Sequence, residues 1–247
     1  MAPSLLLARA YARRRGDDIA ASRKTRPAAS PRADRLHLRT DQHPPDHSKA
    51  AWPLGQYHQG GHYDVALSAT VFKVELGVSD VDHGYYADHT LTMARHPSEN
   101  DERMVVRLLA FGLRAHRLSD VDGELAFGAG LSTPGVPDLR LADYTGRIVE
   151  WINVGQPDER ALGKAAGQAD QVLLFPFATG VASWWRTVGP KVAGLPNLSV
   201  LQIPHAPVQQ LAQTVDRRVS AQVMVMEGQV TMTVGGVDVT FTPEPLQ

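Results

Sequence analysis

The chain has 247 residues, 43% of them hydrophobic, enough for one domain with a sizeable core. It has no cysteine, which excludes disulfides and thiolate metal sites, and its apolar runs fall short of a membrane span. The formal net charge of −1 hides an asymmetry: residues 1–64 hold 11 Lys and Arg against 6 acids, leaving 14 basic and 20 acidic residues for the remainder.

The opening MAPSLLLARA places its arginines after a brief apolar run, an order that does not make a signal peptide. A cytoplasmic protein without a membrane partner is expected. Residues 1–64 are basic and rich in Pro, Arg and His; 22–62 lack a sustained helical or strand period, 5–14 read at most as a short isolated helix, marginal in water, and the whole reads as a disordered extension ahead of a globular domain at 65–247. His43, His47, His58 and His62 lie in this unpatterned part and do not read as a metal site.

Regular patterns begin after Ala66. In ATVFKVELGV the residues Thr70, Phe72, Val74, Leu76 and Val78 share one face and Lys73 and Glu75 the other, which predicts a half-buried strand. SDVDHG reads as a turn and YYADHTLTMAR as a second strand. HPSEND opens a helix reaching about Arg117, with Ser98 and Asp101 at capping-box spacing. On it Arg103, Arg107, Arg114 and Arg117 cluster within about 80° of arc at 100° per residue. That stripe reads as a solvated face or as a phosphate-contacting face for nucleic acid. Glu102 projects on the apolar side, as a first-turn partner for backbone N–H groups or as a site acid.

Three short strands follow at 124–128, 138–143 and 147–154, then a helix opened by Pro157 with Asp158 and Glu159 beside it. VLLFPFA at 172–178 reads as a buried strand, and GVASWWRTVGPKVAG as a helix ending at Gly189, before Pro190. LSVLQIP is another strand and 206–215 a short helix. SAQVMVMEGQVTMTVGGVDVTFTP predicts a three-strand meander turning near Glu227-Gly228 and Gly235-Gly236. Trp151, Trp184 and Trp185 read as core. The fold class is α+β, a mixed α/β arrangement with a C-terminal β-meander.

The stretches ALSATVFKVEL, TLTMARHPSENDERMVVRLLAF, PDLRLADYTGRIVEWINVGQPDERALGKA, SWWRT and NLSVLQIP resemble the YaeQ family of small bacterial proteins over about residues 65–247, most densely in ARHPSENDERM and GQPDER. The resemblance implies a compact PD-(D/E)xK nuclease fold: a restriction-endonuclease-like central mixed sheet flanked by helices. It begins at Val65-Ala66-Leu67, where family members start Met-Ala-Leu. Val65 therefore reads as an initiating GUG codon, or residues 1–64 as a genuine basic tail.

Nuclease chemistry of that kind needs two carboxylates at adjacent strand ends to hold Mg²⁺, and a lysine to support the attacking water. Pro137-Asp138 fits the first acid. The second position departs from the family, because the WIEVG-like stretch reads Trp151-Ile152-Asn153-Val154-Gly155. Asn153 offers a neutral, weaker ligand. Glu150 falls on the other strand face by parity, and only a bulge would bring it round. Lys164, on one helix face with Arg160 and Gln168, reads as a migrated lysine or as part of a solvated face.

The expected site is thus catalytic Asp138, Asn153, Lys164 and Glu102 converging in a cleft, with Mg²⁺ on Asp138 and Asn153 and nucleic acid on Arg103, Arg107 and Arg114. Asn153→Glu is expected to create or raise Mg²⁺ affinity. Two functions stay open: a Mg²⁺-dependent phosphodiesterase with a degenerate site, and a catalytically silent module that binds nucleic acid or protein. Substrate and oligomeric state are not legible.

Overall fold

The computed structural model describes residues 69–128 and 135–247; the readings of residues 1–64 and of the four histidines there fall outside that range. The first sheet forms around two long strands, β1 (Thr70–Asp80) and β2 (Tyr85–Arg95), paired antiparallel from Thr70↔Arg95 to Asp80↔Tyr85. Strict alternation buries Phe72, Val74, Leu76 and Val78 and leaves Lys73 and Glu75 in solvent, as the two-residue period predicts. Helix α1 (Asp101–Arg114) follows and tightens into a short 3-10 segment, Ala115–Ser119.

The second sheet takes β3 (Gly123–Phe127), β4 (Leu139–Asp143) and β5 (Ile148–Val154), all antiparallel neighbours. Helix α2 (Glu159–Ala166) carries the chain to β6 (Gln171–Phe175), and α3 (Val181–Val192) to β7 (Leu198–Gln202); β5, β6 and β7 are parallel, as such crossovers require. After α4 (His205–Ala212) the meander runs through β8 (Arg218–Met226), β9 (Gln229–Val234) and β10 (Val237–Phe241), and Glu244–Pro245 adds a last short strand, β11, beside β7. Both meander turns hold two consecutive residues at positive φ, the signature of tight hairpins.

The strands divide into two mixed sheets, β10-β9-β8-β1-β2 and β11-β7-β6-β5-β4-β3, where the resemblance implied one central sheet. The meander is no appendage. β8 pairs in parallel with β1, which makes the first sheet a joint product of both chain ends.

Helix α1 packs against both sheets. All nine residues from Met104 to Gly112 are buried, and Met104, Leu108, Leu109 and Phe111 join the larger core with Val74, Leu76, Leu139, Ile152 and Val223. Each such side chain contributes roughly 1.5–3 kcal/mol on burial. Gly112 permits the close approach, since a Cβ there would stand 2.9 Å from a Val223 methyl. A smaller core on the other face of the second sheet joins Trp151, Leu162, Ala165, Val172, Leu174, Val188 and Val192. Trp184 and Trp185 pack against it, with ring centroids 5.5 Å apart.

Three local readings are corrected. The cap of α1 is Asn100, not Ser98: its extended backbone lets the side chain accept the Arg103 N–H at 2.9 Å, the bond a cap exists to make. The cap of α2 is Asp158, accepting the Ala161 N–H at 2.8 Å, and Pro157 precedes it. Helix α3 runs through Pro190 to Val192, because Val188 and Val192 are both buried in the smaller core and their burial outweighs one lost bond in the last turn.

Candidate functional site

Asp138 stands just before β4, and the pairing Leu139↔Ile152 puts it across from Asn153 near the end of β5. Its carboxylate accepts three hydrogen bonds. Arg103 Nη2 donates to Oδ1 at 2.7 Å and to Oδ2 at 2.8 Å, and the Val154 N–H donates to Oδ2 at 2.8 Å. Arg103 Nη1 also donates to the Val154 carbonyl at 2.6 Å, so the guanidinium clamps the ends of both strands to the first turn of α1. Asn153 turns its Oδ1 to Trp151 Nε1, 3.0 Å away. That bond ties it to the face carrying the smaller core.

Lys164 is exposed on α2, and its Nζ lies against Gly135, where a Cβ would come within 2.5 Å of it. It thus reaches the chain three residues ahead of Asp138. Glu102 is half-buried and its Oε2 lies 3.1 Å from His205 Nε2, at the start of α4. Asp138 and Arg103 therefore meet beside the N-terminal end of α1, while Glu102 turns to His205, the Asn153 oxygen to Trp151 and Lys164 to the chain at Gly135. An apolar groove of about 500 Å³, lined by Trp185, Arg186, Pro190 and Leu246, lies against α3 and the C-terminal segment instead of at Asp138.

The arginine stripe of α1 is not a solvated face. Arg103 holds Asp138. Arg107 is 0% exposed, and its Nη1 donates to both oxygens of Glu99 at 3.1 Å and to the Ala94 carbonyl at 3.1 Å. Its guanidinium also lies over the Phe127 ring, 5.5 Å from the centroid. Arg114 binds Glu150 through Nε at 3.0 Å and Nη2 at 2.5 Å, and Arg117 adds a third contact through Nε at 3.0 Å. With both sheets packed on α1, the charges point inward and each takes a carboxylate.

Strand parity on β5 holds as expected. Glu150 and Ile152 face α1, and Trp151 faces the smaller core with Asn153 bonded beside it. A bulge does interrupt the ladder, where the register passes from Leu141↔Glu150 to Ala142↔Ile148, but the extra residue is Val149 and Glu150 stays buried against Arg114. Burial pushes the Glu150 carboxyl up, and the Arg114 and Arg117 guanidinium groups pull it further down, leaving it below the usual range.

Two participants were not singled out in the sequence. Glu99 is fully buried and stands four and eight residues before Arg103 and Arg107, a helical spacing that could have marked it. His205 reaches Glu102 from a helix far along the chain, and no local pattern signals that meeting.

Comparison with known proteins agrees with this architecture. The model of the YaeQ protein family matches residues 65–243. A YaeQ protein of Salmonella typhi is 36% identical over 170 residues, covering 68% of this chain and 91% of the relative. That of Escherichia coli K12 is 36% identical over 165 residues, covering 66% and 88%. Both carry the description "Uncharacterized protein YaeQ". The crystal structure of a YaeQ protein from Xanthomonas axonopodis pv. citri superposes with a TM-score of 0.67 at 39% identity, covering 73% of this chain and 99% of that one. One from Pseudomonas syringae gives 0.67 at 32% identity, covering 72% and 96%. Among the described residues no helix is long and apolar enough to cross a membrane.

Proposed function

The chain belongs to the YaeQ family, and on that premise we propose that it is a catalytically silent binding module of PD-(D/E)xK descent, with a protein as its partner. The observation that carries this reading is the Arg103 clamp on Asp138. Mg²⁺ needs a near-octahedral oxygen shell, and nuclease chemistry of this type asks two carboxylates for part of it. Here one carboxylate already holds a guanidinium and a backbone N–H, and the other position is a neutral Asn153 whose oxygen accepts from Trp151. A permanent cation at 2.7 Å opposes a divalent ion on the same oxygens.

The choice of a protein over nucleic acid rests on the same arginines. Arg103, Arg107 and Arg114, the residues expected to meet phosphates, each serve an internal carboxylate. The globular part keeps 14 basic against 20 acidic residues, a balance that repels a polyanion.

The test is Mg²⁺ and Mn²⁺ titration calorimetry on the parent, on Asn153→Glu, and on Asn153→Glu combined with Arg103→Met. A cleavage screen over single-stranded, duplex and structured DNA and RNA accompanies it. The parent and the single variant are expected to bind neither ion saturably and to cut nothing, and saturable binding is expected only in the folded double variant. Saturable binding by the parent that disappears in Asp138→Ala, or cleavage by the parent, would overturn the reading.

A further inference from the structure

We propose that Asp80, His83 and His116 form a binding site for one divalent transition-metal ion of the Zn²⁺ class, at the end of α1 opposite to Asp138. The reading of Asp138 plays no part in it.

Asp80 closes β1 and is 1% exposed. Its Oδ1 accepts the His83 backbone N–H at 3.1 Å, which turns Oδ2 toward two imidazole nitrogens. His83 Nδ1 lies 2.8 Å from Oδ2 and His116 Nδ1 lies 3.3 Å from it. Among the described residues, this is the grouping of three His, Asp or Glu side chains whose donor atoms all fall within 4.8 Å of one another.

His116 supplies the observation that points to a ligand. The residue is 8% exposed, and its Nδ1 is buried without a hydrogen-bond partner. A buried polar atom left so is destabilising unless something answers it. If Nδ1 is unprotonated, it faces a carboxylate oxygen, acceptor to acceptor, and a cation between them resolves the conflict. If Nδ1 is protonated, its N–H is out of line with Oδ2. A metal ion needs no such line.

The donor set selects the class of ion. Two imidazoles and one carboxylate suit Zn²⁺, Co²⁺, Ni²⁺ or Fe²⁺, whereas Mg²⁺ and Ca²⁺ take oxygen ligands. With bonds of about 2.0–2.2 Å, donors in a tetrahedral shell stand about 3.4 Å apart. The observed 2.8 and 3.3 Å require the three groups to part only slightly.

One rearrangement is required. The two rings are stacked 3.8 Å apart and 3° from parallel, so their Nδ1 lone pairs point side by side instead of converging. His83 can supply the motion, because its side chain is 51% exposed in the β1–β2 turn. Asp82, the next acid in that turn, is not the fourth ligand, since its oxygens accept the Glu227 and Gly228 N–H groups at 2.6 and 2.8 Å. Arg114, whose charge acts on His116, is held by Glu150. The remaining positions on the ion go to water, the pattern of an open site.

The experiment uses the full chain, stripped with a chelator and titrated with Zn²⁺. Residues 1–64 carry five further histidines, His37, His43, His47, His58 and His62, so the readout is a difference. The parent is expected to bind one equivalent more than His83→Ala, an exposed substitution that spares the core, and one more than His116→Phe. Excess Mg²⁺ should not compete. In histidine ring NMR, Zn²⁺ should shift His83 and His116 and leave His205 in place. The proposal fails if His83→Ala retains every equivalent at the parent's affinity. It fails equally if the His83 and His116 signals stay unmoved at saturating Zn²⁺.

Discussion

Along α1, Glu99, Asp138 and Glu150 are met by Arg107, Arg103 and Arg114; just past its end, Asp80 is met by two imidazoles, one of them with an unsatisfied nitrogen. The two arrangements look alike as buried ion pairs and differ in chemistry. A guanidinium keeps its charge and offers five donors, so a carboxylate it holds stays neutralised and closed to metal. An imidazole loses its proton near neutral pH and then becomes a ligand itself. An arginine row therefore reads as structure, and a histidine cluster of the same size reads as a site.

The largest effect that can break this comparison lies in the row. Arg107→Met leaves Glu99 buried without its partner and is expected to cost about 3–5 kcal/mol in urea unfolding. A loss below about 1 kcal/mol would mean that the row does not hold the helix.

Acid separates the two arrangements by pH. His116 has a folded value below its ordinary 6.5, as has His89, whose burial outweighs the opposing Asp88. The unfolded chain therefore takes these protons first. Stability is fully present above 6.5 and is lost as the pH falls through the lowered values, at up to about 1.4 kcal/mol per pH unit for each proton. Glu150 is lowered from 4.5, so its contribution is lost only below that value. Unfolding midpoints from pH 7 to 3 should show a first decline from the histidines, reduced in His116→Phe, and a second, below 4.5, from Glu150. A first decline unchanged in His116→Phe would remove the histidine cluster from the account.

The smallest effect concerns how α1 is started. Asn100→Ala removes the cap bond to the Arg103 N–H and is expected to cost about 1 kcal/mol, without displacing the Arg103 side chain from Asp138. Nothing lost would return the cap to Ser98.

Local pattern carried most of the element boundaries. Two-residue alternation marked the first strand at 69–78, which the structure carries on to Asp80, and turn chemistry marked both hairpins of the meander. Parity on β5 separated Glu150 from Asn153, because alternation is a property of one strand and needs no partner. The helical wheel likewise put Arg103, Arg107 and Arg114 on one stripe of α1.

What the wheel could not say is what covers that stripe. Its solvated reading failed because both sheets pack against the helix, and burial belongs to two surfaces at once. The departure of Asn153 from the family pattern was legible in the sequence, but the clamp on Asp138 was not, since Arg103 and Asp138 meet across 35 residues. The histidine cluster depended on tertiary structure in the same way. Asp80 ends a strand and His116 follows a helix, two elements whose ends share no period, and only the packing of α1 against β1 brings a buried nitrogen to a buried carboxylate.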